Sequence, residues 1–211
     1  MRKQGRLLPL MILAVVSCAG CARHAAQKTA PVSGANTAAI SAERLQRSGL
    51  PNLGRVTPTL YRGGQPTAQG FDELKTLGVD IVVNFRDEPP EIESERASVE
   101  HLGMRYVSIP WSPSHDPDSA KVTVFLQLLR ANPEKKIFAH CRRGAERTGV
   151  MIATYRMAIE KWSSGQALAE MEEFHFLGFW FRHLKNYVKN FPAQLQTDPG
   201  LRPLQLAPSM P

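Results

Sequence analysis

Apolar residues recur along this chain in two alternating rhythms. Short runs rich in β-branched and aromatic side chains occupy residues 79–85 (VDIVVNF), 105–109 (RYVSI) and 136–139 (KIFA), with a fourth at 59–62 (TLYR). Runs of this kind bounded by turn residues predict strands. Between them the apolar spacing lengthens to the helical period. Residues 67–77 put Phe71, Leu74 and Leu77 on one side and stop at Gly78. Residues 119–131 set Val122, Phe125, Leu126 and Leu129 at i, i+3, i+4 and i+7, behind Asp118 as a cap. Residues 91–102 are charged, which predicts an exposed helix ending at Gly103; residues 148–161 are apolar almost all round, which predicts a helix buried on most sides. Residues 166–174 and 180–190 complete the set. Strands alternating with helices predict an α/β domain, with a central, largely parallel twisted sheet of four to five strands flanked by helices. Ligands bind such sheets at the carboxyl ends of the strands. Asn84, Arg86 and Asp87 follow one strand there, and His140 and Cys141 follow another.

Both ends break the rhythm. Arg2, Lys3 and Arg6 precede an apolar run over residues 7–16. A membrane-spanning helix needs roughly 20 such residues, so the start reads as an export signal over residues 1–20. Small residues lead to Cys18 and again to Cys21, a pattern that resembles the lipobox of bacterial lipoproteins, with either cysteine as the lipidation site. An ordinary cleaved signal is the alternative. The expected location is the bacterial cell envelope, as a periplasm-facing outer-membrane lipoprotein or a periplasmic protein, with the membrane reached through the N-terminal lipid. Residues 21–52, rich in Ala, Ser, Thr and Asn, read as a flexible tether. Residues 193–211, proline-rich at their end, read as a loose tail. The folded domain then covers residues 53–192.

Composition narrows the function. Of 211 residues, 43% are hydrophobic, enough for a core in one domain. The formal charge is +7; beyond the first twenty residues, 23 bases face 19 acids. That mild excess suits an anionic substrate, and no nucleic-acid motif accompanies it. Within the folded region Cys141 is the only cysteine. Exported proteins commonly pair cysteines as disulfides, so a lone thiol there is either a small buried hydrophobe or a reactive group.

Its neighbours decide. The segment reads His140-Cys141-Arg142-Arg143-Gly144-Ala145-Glu146-Arg147-Thr148-Gly149, after an apolar strand and before a buried helix. This resembles the His-Cys-x5-Arg-[Ser/Thr]-Gly signature of the protein-tyrosine and dual-specificity phosphatase superfamily. Five residues between Cys141 and Arg147 let the loop curl so that its amides, from Arg142 and Arg143 through Gly144 and Ala145, converge on one anion at a helix N-terminus. Gly144 permits the tight backbone. The same field favours the Cys141 thiolate. The resemblance implies that this thiolate attacks phosphorus and forms a phosphocysteine. Arg147 offers a planar fork to two phosphate oxygens, Thr148 hydrogen-bonds the departing sulfur, and His140 orients the loop from behind. No cofactor or metal is implied.

The leaving oxygen needs a proton. The broad family takes it from an Asp upstream of the cysteine. Asp116, in the loop after the 105–109 strand, fills that place; Glu146, inside the signature loop, is the other candidate. Asp118 is more simply a helix cap.

The resemblance reaches across residues 55–191. Leu60-Tyr61-Arg62-Gly63-Gly64-Gln65-Pro66, Gly70-Phe71, Leu77-Gly78, Val83-Asn84-Phe85-Arg86 and Thr154-Tyr155-Arg156 are similar to the atypical dual-specificity phosphatases of bacteria, plants and fungi. Phe85 and Glu146 depart from that pattern, where Leu and Asp are usual. Some members act on inositol pyrophosphates. Arg142 and Arg143, with Arg86 at a strand end, favour a polyanionic phosphate ester if they face the pocket. The expected substrate is therefore a phosphorylated protein, with an inositol phosphate or phosphoinositide as the alternative. A rhodanese-type sulfurtransferase and a non-catalytic phosphate-binding module are more remote readings; the Arg-Thr-Gly ending opposes the first and intact Cys141 the second. The aromatic stretch 174–181 (FHFLGFWF) predicts core packing of the last helices, with contact to a bilayer as the alternative.

Overall fold

The computed structural model describes residues 41–201 and Leu204. Six strands form one sheet: β1 (Glu43–Arg44), β2 (Gly54–Arg55), β3 (Leu60–Gly63), β4 (Ile81–Asn84), β5 (Arg105–Ser108) and β6 (Ile137–His140). Their order is β1-β2-β3-β6-β4-β5. The four longer strands pair in parallel, as expected, and β1 and β2 add an antiparallel edge beside β3. Parallel pairing puts the last residues of β3, β4 and β6 at one end, with Gly63 opposite His140 and His140 opposite Asn84.

Alternation along the strands feeds two cores. Val82, Tyr61 and Phe138 point to the face covered by α1 (Ala68–Thr76) and α2 (Pro89–His101). Leu60, Ile81, Val83, Ile137 and Ala139 point to the other, packed by α3 (Ser119–Ala131), α4 (Glu146–Ala158), α5 (Ser164–Glu173) and α6 (Arg182–Thr197). Strands buried on both faces read as near-continuous apolar runs. In α4 every residue but Tyr155 is buried, so this helix is the central post on which the functional loop stands.

Several expectations change. Residues 41–52 are not a tether: β1 pairs with β2, and Ala42 and Leu50 are buried. A few apolar anchors in a polar segment suffice when the sheet edge supplies the backbone partners. The chain also does not loosen at residue 193. The helix α6 continues through Pro192 to Thr197, a short 3-10 turn follows at Pro199–Leu201, and Leu201 and Leu204 pack into the core. Buried Phe191 and the Thr123 hydroxyl, which donates to the Gly200 carbonyl at 2.8 Å, hold this end. Asp118 stands at the N-cap of α3 without capping it and pairs instead with Lys121 at 3.1 Å. The charged helix α2 is not wholly exposed, since Glu95 and Val99 are buried. The aromatic stretch splits: Phe174 and Phe176 are core residues, whereas Phe179 and Trp180 are 70% and 75% exposed. Among the described residues, no helix is long and apolar enough to cross a membrane. The predicted export signal, with Cys18 and Cys21, lies outside the described residues.

Candidate active site

The strand β6 ends at His140, and α4 begins at Glu146. The intervening loop therefore lies at the carboxyl end of the sheet and leads directly into a helix N-terminus, where unpaired N–H groups and the helix dipole favour an anion. Gly144 adopts φ +73°, the left-handed region open to glycine. A Cβ there would stand 2.4 Å from the Gly63 carbonyl carbon and 2.6 Å from the Gly64 nitrogen. The loop thus rests on the bare backbone of the Gly63-Gly64 pair; a Cβ at Gly64 would stand 3.2 Å from the Arg142 and Arg143 carbonyl oxygens, and one at Gly63 would meet the Phe138 ring at 2.8 Å.

Cys141 and Arg147 line one cleft of about 250 Å³, together with Arg142, Arg143, Glu146, Asp87, Glu88, Ser112, Pro113 and Phe181. Cys141 is 2% exposed, a single sulfur at the base of the loop. Arg147 is also buried. Its Nη1 donates to the Trp111 carbonyl at 3.3 Å, pairs with Asp87, and lies 3.8 Å from Glu88. Burial works against the Glu88 charge, but the Arg86 hydrogen bond and the charges of Arg147 and Arg86 outweigh it and hold this carboxyl below the usual range. Thr148 is buried beside the loop, and its hydroxyl has no hydrogen-bond partner, so the expected bond to sulfur is not formed in this structure.

Behind the loop sits a buried polar cluster centred on Glu95. One Glu95 oxygen pairs with His140 Nε2 at 2.6 Å. The other accepts from Gln65 Nε2 and Asn84 Nδ2, both at 2.9 Å. Asn84 also donates to the Tyr106 hydroxyl at 2.9 Å. Burial, and after it the Glu95 charge, pushes the Tyr106 phenol up to about 12. One carboxylate thereby ties α2 to the ends of β3, β4 and β6. His140, fully buried at the end of β6, pairs with Glu95 immediately before the loop, and its Nδ1 has no hydrogen-bond partner.

The other residues named from the sequence are placed as follows. Asp116 is exposed and is not among the cleft residues, although Ser112 and Pro113 from the same loop are. The carboxyls that do line the cleft are Asp87, Glu88 and Glu146. Glu146 accepts from Arg143 Nη1 at 2.7 Å, so it is engaged by a neighbouring cation rather than free. Arg86 is no rim cation: it is held by Gln65 at 2.8 Å, Glu88 at 3.1 Å and Glu91 at 3.4 Å. Arg142 and Arg143 are exposed and line the cleft. The sequence places Asp87 at a ligand-binding strand end without giving it a role, and it does not single out Glu88, Phe181 or the buried hub at Glu95. The adjacency of Asp87 and Glu88 to a strand end was the available signal for the first two.

A thiol and a guanidinium facing one cleft, in a loop between a parallel strand and a buried helix, define a cysteine-dependent phosphatase. The family model described as "DSP-PTPase phosphatase fused to NAD+ Kinase" matches residues 41–187. The chain belongs to this family of dual-specificity-type phosphatases. It is 34% identical over 167 residues to the dual specificity protein phosphatase TpbA of Pseudomonas aeruginosa, covering 78% of this chain and 71% of that one. A crystal structure of P. aeruginosa TpbA in complex with pTyr superposes with a TM-score of 0.65 at 28% identity, covering 82% of this chain and 99% of that chain. An inositol diphosphatase of Arabidopsis thaliana is 27% identical over 146 residues, covering 66% of this chain and 70% of that one.

Proposed function

We propose that this enzyme releases phosphate from phosphotyrosine-type side chains of proteins. The Cys141 sulfur attacks phosphorus, the S–P bond forms as the ester P–O bond breaks, and the leaving oxygen takes a proton. Water then cleaves the S–P bond, freeing phosphate and the thiolate. Arg147 and the loop amides hold the three oxygens that carry charge throughout.

The observation that carries the substrate reading is the charge balance and shape of the cleft. Three arginines (Arg142, Arg143, Arg147) are matched by three carboxylates (Asp87, Glu88, Glu146), and Pro113 and Phe181 supply apolar wall. A site for one phosphate on an aromatic ring fits this lining. A polyanion meets carboxylates wherever it extends beyond the first phosphate. The second reading, an inositol polyphosphate or phosphoinositide, draws on the exposed Arg142 and Arg143 and on the Arabidopsis relative. Three carboxyls compete to protonate the leaving group: Asp116, on the loop that walls the cleft, and Asp87 and Glu146, inside it and each paired with an arginine. The lipoprotein-like start supports action in the cell envelope.

The test is phosphate release from phosphotyrosyl and phosphoseryl peptides, inositol polyphosphates and phosphoinositides, with Cys141→Ser alongside. Preference for the phosphotyrosyl peptide and silence of Cys141→Ser are expected. Turnover that survives Cys141→Ser sinks the mechanism. A preference for inositol polyphosphates that disappears in the Arg142→Ala, Arg143→Ala double variant sinks the protein-substrate reading.

A further inference from the structure

Three successive carbonyls of the signature loop each accept a hydrogen bond from outside it. The Arg142 carbonyl takes the Gln65 main-chain N–H at 3.1 Å. The Arg143 carbonyl takes Asn52 Nδ2 at 3.2 Å, and the Gly144 carbonyl takes Arg62 Nη2 at 3.0 Å. In a trans peptide the carbonyl of one residue and the N–H of the next point in opposite directions. Holding these carbonyls outward turns the N–H groups of Arg143, Gly144 and Ala145 inward, to the side of Cys141. Among the described residues, none of those three N–H groups donates to a protein acceptor.

The two side chains in this brace bear costs that turn formation alone does not explain. Asn52 sits in the left-handed region at φ +53°, and its Oδ1 is buried without a partner. Its Nδ2 bridges two remote carbonyls, that of Arg143 and, at 3.1 Å, that of Phe174. Strain and an unsatisfied atom of this sort are found where the surroundings enforce them. Arg62 is fully buried, with Nε and Nη1 lacking hydrogen-bond partners. Its guanidinium lies 4.0 Å from the Phe174 ring centroid and 3.7 Å from Glu170. Burial pulls its proton affinity down to about 10, well above neutrality, so it remains a cation behind the loop.

We propose that Asn52 and Arg62 are positioning residues of the catalytic site, which hold the Arg143 and Gly144 carbonyls outward so that the Gly144 and Ala145 N–H groups face the phosphate. Neither side chain lines the cleft, and each acts through the loop backbone. This rests on the phosphatase reading, but it is tested separately.

Asn52→Gly is the decisive variant, because glycine takes the same φ freely and what is lost is the Nδ2 donor to the Arg143 and Phe174 carbonyls. Removing an oxyanion donor outright costs about 100- to 1,000-fold; loosening its support is expected to lower kcat/KM on a small aryl phosphate about tenfold. Affinity for inorganic phosphate, measured by calorimetry, falls by a similar factor. The thermal midpoint stays within a few degrees. Asn52→Asp, which sets a carboxylate against two carbonyls, is expected to lose more of both. Arg62→Lys keeps the charge without the fork and serves as the second variant. Wild-type kinetics and phosphate affinity in Asn52→Gly overturn the proposal, as does an activity loss that only tracks a falling midpoint. If the wild type releases no phosphate from any ester, the phosphatase reading fails, and the phosphate affinities still judge the brace.

Discussion

Asp87 occupies the guanidinium that an incoming phosphate needs, so neutralising it should tighten anion binding. In the resting site Arg147 is paired with Asp87 and stands 3.8 Å from Glu88. A phosphate that takes both prongs of Arg147 must displace the Asp87 carboxylate and then sit beside it. Two unit charges about 4 Å apart interact by ~4 kcal/mol at an effective dielectric of 20 and by ~1 kcal/mol in water. The Asp87 side chain is 35% exposed, which places the pair near the aqueous end, where measured pairs contribute about 1 kcal/mol or less. Asp87→Asn is therefore expected to raise phosphate affinity about fivefold, since 1.4 kcal/mol corresponds to about tenfold. Arg147 keeps its place in the variant, because the Trp111 carbonyl still holds Nη1. Calorimetry with inorganic phosphate on Cys141→Ser, with and without Asp87→Asn, isolates binding from turnover. The gain should shrink as salt rises and screens the exposed carboxylate. Equal or weaker affinity in the double variant refutes the claim that Asp87 competes with substrate. Turnover of substrates with poor leaving groups, compared among Asp87→Asn, Asp116→Asn and Glu146→Gln in the native background, then shows which carboxyl donates the proton.

Glu95→Ala should destabilise the fold by about 3 kcal/mol in urea denaturation, because His140, Gln65 and Asn84 lose a shared buried acceptor. Glu95→Gln, which keeps one oxygen, should cost less than half as much, and equal losses from both would contradict the hub role. Gly144→Ala should lower phosphate release at least about 100-fold, because the left-handed backbone and the Gly63 contact force the loop amides off target. Near-normal kinetics in that variant would show that the cradle tolerates displacement.

What the sequence disclosed and what it withheld divide along contact range. The strand, loop and helix around Cys141 are contiguous, so the spacing from Cys141 to Arg147 carries the geometry, and the apolar runs of β4, β5 and β6 carry the sheet. The supports of that loop come from elsewhere. Asn52 reaches Arg143 across 91 positions, Arg62 reaches Gly144 across 82, and Glu95 reaches His140 across 45. Nothing local marks Glu95 among its charged neighbours on α2, and Asn52 falls in a segment whose polar composition reads as a tether. Arg62 did leave a trace, as a charged residue closing an otherwise apolar run, and a strand buried on both faces has no inexpensive place for a cation. Such a residue is retained only if something nearby uses its charge or its donors. Here the Gly144 carbonyl accepts from it, two residues ahead of α4. The carboxyls of the cleft follow the same logic in reverse. Asp116 stands in the loop after β5, whereas parallel pairing brings the end of β4 next to the end of β6, and the carboxyls that follow β4 line the cleft. In a parallel sheet, adjacency of strand ends outweighs separation in sequence, so site residues are better sought after every central strand than at a fixed offset from the nucleophile.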